Sequence, residues 1–304
     1  YGKLVKRGTL QRVSQLNQDD FRKLISGTSS GLGAALLRFL LAPAAAVYAV
    51  VIRLRNFLYS RGLLKIHQAS AAVISIGNIT TGGTGKTPLV VWLYNEITQN
   101  SKSKIQNYNC AILTRGYKTT QNSKLKTQNY IDEPVILAES CPQAPVIINP
   151  DRVAGAAKAV EEFGANVLIM DDGFQHRRLA RDLDIVAIDA TCPFGYGKIL
   201  PAGLLREPIF SLKRADAVVI TRCDQSTDAE LARLEDKLRG INPDMIITKA
   251  IHAPVSVKYP DHSVIAAEAR IQKNSERADS NLDNGAGLEQ LKGKKIFAFC
   301  GIGN

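Results

Sequence analysis

Residues 73–88 read VISIGNITTGGTGKTP, and no other stretch constrains the fold so tightly. An apolar, β-branched strand runs into a glycine-rich turn, and a helix with proline at its first position follows. Glycines let successive backbone N–H groups curl around a polyphosphate without Cβ clashes. Lys86 can reach the β- and γ-phosphates, and the Thr87 hydroxyl can bind Mg2+. Leu89, Val90, Leu93 and Ile97 give the helix one apolar face, so its positive end is aimed at the anion. Gly82, Gly83, Thr84, Gly85, Lys86 and Thr87 are the expected nucleotide contacts. The stretch departs from G-x-x-x-x-G-K-[ST] at Thr80, where a glycine is usual.

Downstream, short apolar runs alternate with helical ones. Strands are expected at 110–114, 146–149, 166–171, 184–189, 216–221 and 245–248, which predicts a doubly wound, mostly parallel α/β sheet. In such a sheet the ligand crevice lies at the carboxyl ends of the strands. Arg115 follows the strand at 110–114. Asp171 and Asp172 end the strand at 166–171, where carboxylates hold Mg2+ or its waters beside a nucleotide. His176 lies five residues beyond Asp171, as a substrate or phosphate contact. Arg152 sits at the start of a helix whose predicted inner stripe is Val153, Ala157, Val160 and Phe163. Asp132 precedes a helical run and reads either as a cap or as a catalytic base. Residues 193–208 form a long aperiodic loop of the kind that carries function.

Charge adds a partner. The chain has 39 basic and 28 acidic residues, for a net charge of +11. Residues 1–65 alone hold eleven Lys/Arg against two Asp, so +9 lies before the phosphate loop. An anionic surface is implied, and without a nucleic-acid motif a membrane fits better than DNA or RNA. Residues 39–52 are uncharged and flanked by Arg38, Arg53, Arg55, Arg61 and Lys65. Fourteen residues fall short of the roughly 20 that a bilayer crossing needs. An amphipathic helix lying in the membrane interface is expected, with a core helix packed on the sheet as the other option. Five scattered cysteines with no C-x-x-C pair indicate neither zinc nor a disulfide framework, and a reducing compartment.

The expected organisation is a leader or flexible basic arm at 1–32, a membrane-associated helical segment at 33–66, a nucleotide-binding domain at 67–252, and a linker with the start of a smaller second α/β domain at 253–304. Lys294–Asn304 reads as the first strand of that second unit. Tyr1 at the start and Asn304 directly after an apolar strand make a fragment the expected reading at both ends.

Assembled, these residues resemble the tetraacyldisaccharide 4'-kinases of lipid A biosynthesis. The matching stretches are Gly77–Pro88, Thr114–Tyr117, Asp132–Pro134, Asp171–His176, Leu200–Gly203 with Leu205–Pro208, and Gly301–Asn304. Thr80 is itself a feature of that family's loop. The resemblance implies a P-loop NTPase-type kinase, monotopic on a membrane. It would move the γ-phosphate of ATP, with Mg2+, to the 4'-hydroxyl of a tetraacyldisaccharide 1-phosphate. It further implies Lys86 and the loop amides on the phosphates, and Thr87, Asp171, Asp172 and Gln175 in the metal and phosphate region. Asp132 would be the base, and Arg115, Arg152, His176 and Arg206 contacts to the lipid phosphate, the sugar or the transition state. The implied location is the cytoplasmic face of a bacterial inner membrane, or the mitochondrial inner membrane in a eukaryote. No nucleic acid and no obligate protein partner are expected. The family's Asp-His-His segment falls beyond Asn304, and His262 reads as a loop residue.

Two other readings stand beside this one. Thr221-Arg222-Cys223-Asp224 is similar to the guanine-reading Thr-Lys-x-Asp of GTPases, with arginine in place of lysine. A membrane-associated nucleotide-binding scaffold without kinase turnover is the non-enzyme alternative.

Overall fold

The computed structural model describes residues 18–99, 108–116, 133–251, 256–258 and 264–266. Two helices, α1 (Gln18–Ser26) and α2 (Leu32–Ser60), precede the alternating region. That region runs β1 (Ala72–Gly77), α3 (Lys86–Gln99), β2 (Cys110–Thr114), α4 (Glu133–Ser140), β3 (Val146–Ile148), α5 (Arg152–Phe163) and β4 (Val167–Asp171). It continues through β5 (Leu183–Asp189), β6 (Ala217–Thr221), α6 (Asp228–Ile241) and β7 (Ile246–Lys249). The seven strands pair in parallel in the order β3-β2-β4-β1-β5-β6-β7, which bears out the expected doubly wound sheet. A short antiparallel pair, β8 (Ser256–Lys258) and β9 (Val264–Ala266), follows. Asp132, Tyr117, His262 and the strand expected at Lys294–Asn304 lie outside the described residues.

Alternation along each strand sorts the core onto two faces. Ile76, Ile169, Ile185 and Ala187 meet Leu89, Val90 and Tyr94 of α3 and Leu137 of α4 on one side. On the other, Val73, Leu168 and Met170 pack under α5, while Val186, Ile188, Val218 and Ile220 pack under Leu231, Leu234 and Leu238 of α6. Both faces are covered, as a parallel sheet of near-continuous apolar strands requires.

Three local expectations change. Pro88 is the third residue of α3 rather than the first; it still lies in the opening turn, where no intrahelical N–H bond is lost. The inner face of α5 is Gly155, Ala156 and Ala159, not the stripe ending at Phe163, which is exposed. Small residues win there because the helix lies close to the sheet: a Cβ on Gly155 would sit 3.3 Å from the Asn149 Cβ. Finally, α2 extends far past the uncharged segment, to 29 residues. Its extent matches the helical segment expected at 33–66, and what changes is that Arg53 and Arg55 lie inside the helix rather than beyond the end of a fourteen-residue one. By length and composition α2 is able to cross a bilayer, and only 11% of its most apolar window is buried in the protein.

One side of α2 nevertheless belongs to the domain. Ala45 and Ile52 are buried, and Tyr48, Arg55 and Asn56 on the same side hydrogen-bond to residues 175–207. The opposite side carries exposed Leu36, Leu40, Val47, Val50, Val51 and Leu54. α1 is anchored through Leu24 and Ile25, both buried, and Arg38 of α2 donates to the carbonyls of Leu24 and Ser29.

Candidate active site

β1 is the central strand, and its carboxyl end delivers the phosphate loop between the ends of β4 and β5. Gly82 and Gly85 take positive φ values of 119° and 79°, backbone shapes that a side chain disfavours. Buried polar contacts fix the loop from behind. Asn78 Nδ2 donates to Thr84 Oγ1 at 3.0 Å, and the Thr221 hydroxyl, at the end of β6, donates to the Thr84 carbonyl at 3.0 Å. Gly77 has no room for a side chain, since a Cβ there would lie 2.5 Å from the Phe174 Cβ. Thr80, the departure from the regular pattern, is buried and bridges in antiparallel fashion to Leu205 of the long loop.

The charged centre gathers three expected residues. Lys86, nearly buried at the start of α3, places its Nζ 3.5 Å from Asp172 Oδ1. Arg206 grips both oxygens of the same carboxylate at 2.8 and 2.9 Å. Burial alone would raise the Asp172 carboxyl, but Lys86 and Arg206 outweigh it and hold the group below the usual carboxylate range. Asp172 adopts a left-handed backbone (φ 51°), which turns its side chain out of the strand line and toward the two cations. Asp171, one residue earlier, is buried at the strand end.

The other expected residues fall around this centre with distinct surroundings. Gln175 Nε2 donates to the Asn78 carbonyl at 2.7 Å, so its side chain braces the root of the phosphate loop. Arg152 is buried and spends its guanidinium on the carbonyls of Asn149 and Asp171, clamping the ends of β3 and β4 together. Arg115 is exposed just past β2, on the same sheet edge, and its charge is felt at Arg152. His176 is half-buried, and among the described residues its Nε2 has no hydrogen-bond partner. Burial, reinforced by Arg152, Arg178 and Arg181, pushes its imidazole down to about 4. Thr87 is half-buried at the start of α3. Arg222 pairs with Asp189 at the ends of β6 and β5, while Asp224 of the same turn is exposed.

Two site neighbours escaped the sequence reading. Glu207, quoted only as part of a matching stretch, has no solvent exposure and is ringed by Arg55, Asn56 and Arg214. Arg22 of α1 lies beside the phosphate loop, 3.8 Å from where a Cβ on Gly82 would stand. The first was detectable as a carboxylate set between arginine and proline in a functional loop; the second had no local signal.

The oxygen donors Thr87, Asp171 and Asp172 suit a hard divalent ion such as Mg2+, and the loop with its positive-φ glycines suits a polyphosphate. Among the described residues no cluster of three or more His, Cys, Asp or Glu could hold a metal ion.

Comparison with known proteins places this arrangement. Residues 37–304 match the family model described as tetraacyldisaccharide-1-P 4'-kinase. The tetraacyldisaccharide 4'-kinase of Halothermothrix orenii is 34% identical over 281 residues, covering 88% of this chain and 68% of that protein. The Geobacter sulfurreducens protein of the same name is 42% identical over 214 residues, covering 67% of this chain and 59% of that protein. A crystal structure of LpxK from Aquifex aeolicus in complex with ATP superposes with a TM-score of 0.52 at 36% identity, covering 60% of this chain and 58% of that one. The chain thus spans roughly three fifths to two thirds of the length of these relatives.

Proposed function

Because the chain belongs to the tetraacyldisaccharide-1-P 4'-kinase family, we propose that it transfers the γ-phosphate of ATP to the 4'-hydroxyl of a tetraacyldisaccharide 1-phosphate at a membrane surface. The observation that carries this reading is the convergence of Lys86, Asp172 and Arg206 at the mouth of the phosphate loop. Phosphoryl transfer needs little covalent help from a protein. It needs in-line positioning and compensation of charge on the moving group. Lys86 and the loop amides hold the β- and γ-phosphates, and Arg206 stands where it can neutralise charge as the phosphoryl moves. Thr87, Asp171 and Asp172 would hold Mg2+, which would offset the negative charge of the phosphates. Once ATP brings its own negative charge, Lys86 and Arg206 have a better partner than Asp172, so the same three side chains serve the free and the loaded site. Asp132 takes the proton from the sugar hydroxyl. Arg115 and His176 are on the acceptor side, and Arg152 supports them through its hold on the β4 end.

The exposed apolar face of α2, with the +9 charge of residues 1–65, fits the surface of an anionic bilayer and a substrate whose acyl chains remain in lipid. The face gripped by the domain keeps α2 alongside the protein, so we read it as lying in the interface. The test is transfer of radiolabelled phosphate from ATP to tetraacyldisaccharide 1-phosphate in mixed micelles, with Lys86→Ala and Asp132→Ala in parallel. Lipid labelling that both substitutions reduce on the order of a hundredfold or more supports the reading. Nucleotide binding without lipid labelling would leave a nucleotide-binding scaffold.

A further inference from the structure

The two sides of α2 do different things, and the inner side reaches the phosphate site by short, continuous contacts. Tyr48 Oη donates to the Arg206 carbonyl at 3.1 Å. Asn56 Nδ2 donates to Glu207 Oε2 at 2.8 Å, and Arg55 reaches Glu207 Oε1 at 3.5 Å and the Gln175 carbonyl at 3.0 Å. In return, Arg177 donates to the Asn56 carbonyl at 2.9 Å and stacks over the Tyr59 ring. α2 therefore grips two segments, 175–177 and 206–207.

Those two segments hold the phosphate loop from both sides. The Arg206 amide donates to the Ile79 carbonyl at 2.7 Å, the Thr81 amide donates to the Leu204 carbonyl at 2.8 Å, and Thr80 bridges to Leu205. Gln175 braces Asn78, and the Arg206 side chain fixes Asp172. Every step from Tyr48 or Arg55 to Lys86 is a hydrogen bond, an ion pair or a peptide link.

We infer that α2 is a positioning element of the phosphate site as well as an attachment, so that seating its apolar face in a lipid surface steadies residues 206–207 and tightens the Arg206–Asp172–Lys86 geometry. The inference rests on the kinase reading for its catalytic consequence, and on the contacts alone for its structural one. Residues 204–206 are already held on their inner side by backbone bonds to Ile79, Thr81, Gly195, Lys198 and Leu200, and α2 supplies the hold on the outer side, at the Arg206 carbonyl and Glu207. In solution, exposed Leu40, Val47, Val51 and Leu54 leave α2 without a second support. A bilayer supplies one, and a helix fixed on both sides holds Arg206 more tightly.

The experiment uses the full chain with Tyr48→Phe, which removes one hydroxyl and keeps the ring, and with Tyr48→Phe/Asn56→Leu. Amide hydrogen exchange of residues 203–208 is followed with and without phosphatidylglycerol–phosphatidylcholine vesicles that contain no substrate. Vesicle co-sedimentation, kcat and the KM for ATP are measured alongside. In the unsubstituted protein, vesicles are expected to slow exchange at 203–208 by about tenfold. In both variants that protection shrinks while co-sedimentation is unchanged, and kcat falls more than the KM for ATP rises. Vesicles that leave exchange at 203–208 unaltered overturn the inference, and so do variants that keep full protection and full kcat, which would make α2 an anchor only. Should the unsubstituted protein label no lipid at all, the kinase reading fails while the exchange measurements still decide the coupling.

Discussion

Arg206 and Glu207 are adjacent in the chain, and they sit in two charge clusters of opposite design. Arg206 meets a carboxylate that is 30% exposed and shares it with Lys86. Glu207 has no exposure, and four donor contacts from Arg55, Asn56 and Arg214 reach its two oxygens at 2.8–3.5 Å. Arg214 is further fixed over the Phe174 ring at 3.7 Å and by the Phe174 carbonyl. The first cluster holds cations that an incoming polyphosphate is able to recruit; the second is built round a fully buried carboxylate bonded at both oxygens. One is arranged to be exchanged and the other to persist, and the peptide bond between them ties the exchangeable cluster to a fixed point. Net charge alone would not reveal this, because both clusters combine carboxylate with excess guanidinium or ammonium.

The sharpest way to break that distinction is to neutralise each carboxylate without changing its shape. Asp172→Asn is expected to lower phosphoryl transfer by roughly a thousandfold, since it removes a metal-side charge and the partner that aligns Lys86 and Arg206. Its unfolding free energy should stay within about 1 kcal/mol of the parent. Glu207→Gln should invert the pattern. It leaves the partly exposed Arg214 and Arg55 around a buried neutral group, at a cost of about 2 kcal/mol in stability. Denaturant unfolding beside the labelling assay separates the two, and equal stability losses would mean that both clusters are structural.

How much of this was legible beforehand depended on whether the signal was local. The strand–loop–helix of β1 and α3 follows from glycine conformations, a lysine and a β-branched run within sixteen residues, and the sheet follows from apolar runs at regular intervals. Asp171 and Asp172 were placed by their position at a strand end. What Asp172 touches was not legible, because Arg206 is 34 residues away and its approach is set by backbone bonds to Ile79. Arg152 looked like a ligand-facing cation, yet a helix start beside two strand ends offered it carbonyls to clamp. The α5 stripe failed for a related reason: periodicity identifies a helix face, but the distance to the sheet decides whether large or small residues line it. For α2, the uncharged count made Arg55 a flank facing the membrane, whereas it lies on the packed face and finds partners in Glu207 and Gln175.

A finer test keeps the charge at Arg206 and alters only its shape. A single guanidinium nitrogen, Nη1, contacts both Asp172 oxygens, so lysine keeps a charge beside Asp172 but loses the other guanidinium donors, while the Arg206 backbone bonds to Ile79 and Tyr48 remain. Arg206→Lys should lower kcat by about tenfold with little change in the unfolding midpoint. A loss as large as that of Asp172→Asn would show that the guanidinium contacts the transferring group itself. An unaffected kcat would reduce the exchangeable cluster to Lys86 and Asp172.

The smallest expected effect concerns His176, which borders both clusters through the 173–181 loop and touches neither carboxylate. Its imidazole is held near 4 by burial and by Arg152, Arg178 and Arg181, against an ordinary value of 6.5. The folded protein therefore refuses a proton that the unfolded chain accepts. Its contribution to stability is complete above pH 6.5, declines as the pH falls, and is gone near pH 4. Partial solvent access trims the effect to about 1 kcal/mol over that window. His176→Gln removes the titration and leaves a neutral side chain, so its unfolding free energy should fall less steeply than the parent's between pH 6.5 and 4.5. Parallel slopes would mean that burial and the three arginines do not hold the imidazole down, and that the loop leaves His176 free to charge beside the phosphate site.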